Sequence, residues 1–200
     1  MTSPTETPNE SSPTETPPEA GPSIEGLRPA RSLLLVNTGD GKGKSTAAFG
    51  TLIRAVARGW PTAVVQFLKS GDWHVGEQDV AEQLGVAWHA IGEGFTWDSD
   101  DLSEDQAVAQ EAWRVARELI EGGEHRLVVL DEITYPITWG WIPLAEVVAV
   151  LGGRPDRTSV IVTGRDCPPE IIEVADTVTE MRKVKHAFDA GIVAKKGIDY

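Results

Sequence analysis

An apolar run, Leu33-Leu34-Leu35, passes directly into Val36-Asn37-Thr38-Gly39-Asp40-Gly41-Lys42-Gly43-Lys44-Ser45-Thr46 and then into Ala47-Ala48-Phe49. A strand, a glycine loop and a helix start are thus written consecutively, which is how a chain builds a cradle for a nucleotide triphosphate. Gly39, Gly41 and Gly43 let backbone N–H groups converge on phosphate oxygens, Lys44 neutralises phosphate charge, and Ser45 or Thr46 offers a hydroxyl to Mg²⁺. The expectation is a chain that binds ATP or a relative.

The loop is a variant. The usual spacing G-x-x-x-x-G-K-S/T requires glycine at position 38, which Thr38 occupies, and the first glycine is displaced to Gly39. An ordinary turn is the competing reading, and the placement between a strand and a helix-forming stretch argues against it. Lys42 has two open readings, a second charge on the phosphates or a solvated loop lysine.

A chain of 200 residues with 40% hydrophobic content buries a core of one domain's size. Residues 1–27 stand apart from that core. They hold Pro4, Pro8, Pro13, Pro17, Pro18 and Pro22, five glutamates and no lysine or arginine, a composition that cannot offset the entropy of folding. The expectation is a disordered acidic tail over 1–27 and a single domain over 28–200. The tail has neither a basic start nor an apolar segment, so it does not read as a secretory signal. The net charge of −13 falls to −8 without the tail, because 28–200 holds 18 basic and 26 acidic side chains; that balance disfavours nonspecific nucleic-acid binding. Cys167 is the single cysteine, so no internal disulfide forms, and no apolar run reaches the roughly 20 residues of a membrane span. These features point to a cytoplasmic protein without a membrane or nucleic-acid partner.

Apolar and β-branched runs recur at 32–37, 62–67, 86–90, 126–131 and 158–163, with a weaker one at 177–181, and helical segments lie between several of them. The alternation predicts an α/β fold, P-loop NTPase-like (RecA-like), with a mostly parallel sheet flanked by helices. Helices are expected over 44–58, stopped by Gly59 and Pro61, and over 104–121, capped by Ser103, striped by Val108, Ala112, Val115 and Leu119, and stopped by Gly122-Gly123. Two more open at Pro143 and at Pro168-Pro169. Cys167 reads as a small buried residue.

Two strand ends carry chemistry. Leu127-Val128-Val129-Leu130 runs into Asp131-Glu132, two acids at the edge where ligands gather in open α/β sheets, and either acid suits a Mg²⁺ contact. The bland alternative has Asp131 capping the next segment. Arg165, after Thr163-Gly164, reaches the same edge either to hold a phosphate or as a surface ion pair. Gly92-Glu93-Gly94-Phe95-Thr96-Trp97-Asp98 sets two aromatics among glycines and acids, a frame that fits a surface for a flat, partly apolar ligand better than a core strand.

Taken in order, the segments 37–50, Val65-Gln66-Phe67-Leu68-Lys69, Gly94-Phe95-Thr96-Trp97-Asp98, Leu130-Asp131-Glu132-Ile133-Thr134-Tyr135 and the ending Val184-Lys185-His186-Ala187-Phe188-Asp189-Ala190-Gly191 through Gly197-Ile198-Asp199-Tyr200 resemble the ATP:corrinoid adenosyltransferases of cobalamin biosynthesis. The resemblance covers about 170 residues, everything but the tail. The displaced glycine fits it, because the family resembles T-G-N/D-G-K-G-K-S/T.

The resemblance implies transfer of the 5′-deoxyadenosyl group of ATP to the Co(I) of a reduced corrinoid, with triphosphate leaving. Such a cobalt centre is a strong nucleophile, and the chain shows no general-base constellation among His74, His89, His125 and His186. By the same resemblance Asn37, Thr38, Gly39, Asp40, Gly41, Lys42, Gly43, Lys44, Ser45 and Thr46 bind the nucleotide, and Arg165 is added to them from its place at the strand end. Ser45, Asp131 and Glu132 serve Mg²⁺, with Glu132 favoured of the two acids. Phe95 and Trp97 act with Lys44 in catalysis, sitting under the corrin and displacing its lower axial ligand, which makes Co(II) easier to reduce. A reversed nucleotide, a homodimer and an electron-donating reductase are implied as well. The alternatives from the residues alone are a phosphate-loop ATPase or small-molecule kinase, and a nucleotide-gated corrinoid-binding protein without catalysis.

Overall fold

The computed structural model describes residues 25–68, 75–91 and 102–199. The expected aromatic surface at Phe95 and Trp97, together with Lys69, His74, Tyr200 and most of the acidic tail, lies outside the described residues.

Six strands follow the apolar runs: β1 (Leu34–Thr38), β2 (Thr62–Gln66), β3 (Ala87–Ala90), β4 (Leu127–Asp131), β5 (Ser159–Thr163) and β6 (Thr177–Glu180). They form one sheet in the order β3-β2-β4-β5-β1-β6, and every neighbouring pair is parallel. The sequence pattern explains the position of each strand. β2 and β4 are buried along their whole length and lie inside the sheet, while β6, exposed at all four positions, is an edge.

The strands' two-residue period splits their side chains between two cores. On one face Val64, Leu127, Val129 and Ile161 meet α1 (Lys44–Val56) and α2 (Gly76–Gln83) through Ala48, Phe49, Leu52, Ala55 and Ala81. On the other, Leu34, Val36, Val65, Val128, Leu130, Val160 and Val162 meet α3 (Leu102–Glu121), α5 (Leu144–Gly152) and α6 (Pro169–Val174). A short α4 (Thr134–Thr138) follows β4, and a 3₁₀ turn spans Phe188–Ala190. None of α2, α4 and this turn was expected from the apolar pattern.

Three expectations about helices are corrected. α3 begins at Leu102, two residues before the expected start, so Ser103 stands within its first turn. Its buried stripe is Ala109, Ala112, Trp113, Ala116 and Ile120, with Val115 and Leu119 partly buried beside it. Three alanines let the helix approach the sheet closely, and the bulkier valines and leucine are turned to the flank. α1 ends at Val56, and residues 57–59 form a turn closed by the Gly59 N–H on the Val56 carbonyl at 2.8 Å.

The strand order brings the carboxyl ends of β1, β5, β4 and β2 side by side. The glycine loop, Gly164-Arg165, Asp131-Glu132 and Gln66 thus share one edge.

Candidate functional site

The glycine loop leaves β1 at Thr38 and enters α1 through Gly43, whose φ of 114° is open to glycine alone among common residues. Its floor is the end of β6. The Gly41 N–H donates to the Met181 carbonyl at 2.5 Å and the Met181 N–H to the Thr38 carbonyl at 2.8 Å. A Cβ on Gly41 would lie 2.6 Å from the Met181 oxygen, so the glycine is required by close approach. Asn37 and Thr38 brace this frame from beneath: the Asn37 amide donates to the Lys44 carbonyl at 3.1 Å, and the Thr38 hydroxyl accepts the Cys167 N–H at 3.3 Å.

Lys44 Nζ donates to the Gly39 and Gly41 carbonyls at 2.8 Å each, inside the curve of the loop. Burial lowers its pKa, and the nearby Arg165 charge adds to that shift. Lys42 is exposed, and its Nζ pairs with Asp199 Oδ1 at 2.7 Å, an acid 157 positions further along the chain. Between the two hydroxyls the structure distinguishes clearly. Ser45 is half-buried and hydrogen-bonded to Asp131, while Thr46 and Asp40 are exposed.

Asp131 is buried and held from three sides. The Thr163 hydroxyl donates to its Oδ1 at 2.8 Å, Gln66 Nε2 approaches Oδ2 at 3.5 Å, and Ser45 supplies a third contact. Burial pushes its carboxyl above the usual range, and those hydrogen bonds pull the other way. Asp131 therefore does not cap the next segment; α4 begins at Thr134, and Ile133 at its N-cap position makes no side-chain cap.

Glu132 adopts φ 61°, a left-handed conformation rare outside glycine, and its N–H donates to Thr163 Oγ1 at 2.9 Å. One hydroxyl thus fixes both acids. Burial first, then repulsion from Asp131, pushes Glu132 up to about 7, against the pull of Lys44 and Arg165. Arg165 is exposed at the same edge, and its field reaches Lys44, Glu132 and Tyr135. Cys167 is buried, and burial pushes its thiol up to about 11, which favours the protonated thiol at neutral pH.

Sequence reasoning assigned no role to Thr163, Gln66, Tyr135 or Asp199. A signal existed for the first two. Thr38, Gln66, Asp131 and Thr163 are buried polar residues, and each ends an apolar strand.

The residues at this edge fit a hard divalent cation shared with phosphates. Ser45, Asp131 and Glu132 offer oxygen donors, while among the described residues no three His, Cys, Asp or Glu side chains converge to hold an ion alone.

A parallel α/β sheet with a glycine loop, an inward lysine and strand-end acids at one edge defines a nucleotide-binding protein of the phosphate-loop class. The sequence model described as ATP:corrinoid adenosyltransferase BtuR/CobO/CobP matches residues 30–200, and the chain belongs to that family. The corrinoid adenosyltransferase of Escherichia coli (strain K12) is 48% identical over 170 residues, spanning 85% of this chain and 86% of the relative. The corrinoid adenosyltransferase CobA of Salmonella typhimurium is 45% identical over the same shares, and that of Pseudomonas aeruginosa is 46% identical over 175 residues, 86% of each chain.

Proposed function

We infer that this enzyme transfers the 5′-deoxyadenosyl group of ATP to the Co(I) of a reduced corrinoid, in the making or salvage of adenosylcobalamin. The family match over residues 30–200 carries this reading. In the reaction the cobalt electron pair forms the bond to C5′, the C5′–O5′ bond breaks, and its electrons leave on the triphosphate. Cobalt passes formally from Co(I) to Co(III). No proton is removed, so the step requires no general base.

The chain's residues then have the tasks of alignment and of charge stabilisation. The loop amides, Lys44 and Arg165 neutralise the triphosphate, with Lys42 joining when it leaves Asp199. Ser45, Asp131 and Glu132 would hold Mg²⁺, which would add positive charge for the leaving group. A cation beside Glu132 also offsets the burial and repulsion that otherwise favour its protonated form. Phe95 and Trp97 provide the corrin's apolar support and keep water from the reduced metal.

The same reading has residues 28–200 as one catalytic domain, working in the cytoplasm as a homodimer supplied with electrons by a reductase. Phosphoryl transfer would use the same loop, and the family match sets it aside.

The test is anaerobic incubation of the protein with ATP, Mg²⁺ and chemically reduced cobalamin. The expected result is replacement of the Co(I) spectrum by that of a light-sensitive alkylcobalt(III) species. Persistence of the Co(I) spectrum while ATP is bound would overturn the assignment.

A further inference from the structure

Gln66 ends β2, next to Asp131 on β4, and the two residues are register partners across the parallel pair. It is one of the few buried polar side chains at the ligand edge. Its amide nitrogen faces Asp131 Oδ2, while its carbonyl oxygen, Oε1, is buried and has no hydrogen-bond partner. A buried acceptor without a donor is costly, and strand burial holds it in place. The neighbouring carboxylates cannot satisfy it when ionised, because they too are acceptors. The loop lysine does not donate to it either: its two hydrogen bonds go to the Gly39 and Gly41 carbonyls. What this corner lacks is a donor that arrives with the ligand.

We propose that Gln66 is a positioning residue for the cation of the nucleotide complex: its Oε1 accepts a hydrogen bond from a water of the cation's hydration shell, while its Nε2 orients Asp131. Mg²⁺ dehydrates reluctantly and keeps several waters, so a site for it needs acceptors beyond its direct ligands. Partners of that kind typically change metal affinity about 10- to 100-fold. The inference rests on the proposed cation at Ser45, Asp131 and Glu132, and the experiment separates the two.

ATP affinity is measured by calorimetry with Mg²⁺ and, separately, with EDTA, in the wild type and in Gln66→Met, with Gln66→Leu as a second apolar variant should the first fail to fold. The wild type is expected to bind ATP more tightly with Mg²⁺. The variant is expected to keep the wild-type affinity in EDTA and to lose about 10-fold of the Mg²⁺ gain. An equal gain in variant and wild type would overturn the role of Gln66, and would reduce its carbonyl to a site for an ordinary buried water. Absence of any gain in the wild type would instead overturn the cation site itself, and this inference with it. Loss of affinity in EDTA as well as in Mg²⁺ would show a merely structural role and overturn the proposal.

Discussion

Lys44 and Glu132 feel each other's charge, and each is held away from its ordinary protonation behaviour by burial. Lys44 rests on two loop carbonyls at 2.8 Å, so it is already oriented toward the place where phosphate oxygens enter. Lys44→Ala is expected to weaken ATP binding by about 10- to 100-fold, the worth of a charge-assisted contact; unchanged affinity by calorimetry would remove the lysine from the cradle. Glu132 makes a prediction about pH. With its folded-state value near 7 and an ordinary carboxylate value of 4.5, the folded ligand-free protein holds a proton that the unfolded chain has lost between those limits. Stability therefore falls as pH rises through that window, and the penalty is complete above it. Glu132→Gln removes the titration, so its Tm relative to wild type should increase from pH 5 to pH 8. A constant offset across that range would contradict the burial argument.

At the scale of elements, the phosphate loop is closed by the chain's last segment. Met181 accepts the Gly41 amide and Asp199 engages Lys42; under the proposed function an arriving triphosphate competes with that carboxylate for the loop cation. Asp199→Asn is expected to tighten ATP binding about two- to fivefold, consistent with a half-exposed pair of modest strength; weaker binding would show that the segment supports the nucleotide rather than opposes it. That contact also marks where sequence reading stopped. The strand runs, the glycine loop and the acids ending β4 were legible because each is a local pattern of burial and chemistry. Lys42 and Asp199 meet only through the folded chain, and no local pattern announces them. Ser45 and Thr46 look equivalent in the string, and the phase of α1 decides that Ser45 meets Asp131. In α3 the valines and the leucine drew the expected stripe to the flank of the buried one, because hydrophobicity favours large residues where close helix–sheet approach selects alanine. The left-handed backbone at Glu132 had no sequence signal, since a glutamate is an unusual occupant of that region.

For the molecule as a whole, the parallel sheet delivers four strand ends to one edge, and the proposed function has ATP bind there. Under the proposed function Phe95 and Trp97 support the corrin. If they displace its lower axial ligand, Phe95→Ala and Trp97→Ala lose more activity when the reaction begins from Co(II) with a reductant than from chemically supplied Co(I). Equal losses would leave them as ring-binding residues only. The central claim is that triphosphate is the leaving group, and its most direct test is ³¹P NMR of a single anaerobic reaction mixture containing ATP, Mg²⁺ and Co(I) corrinoid. The account predicts one intact tripolyphosphate for each corrinoid adenosylated; ADP with orthophosphate, or AMP with diphosphate, appearing in step with turnover would contradict it.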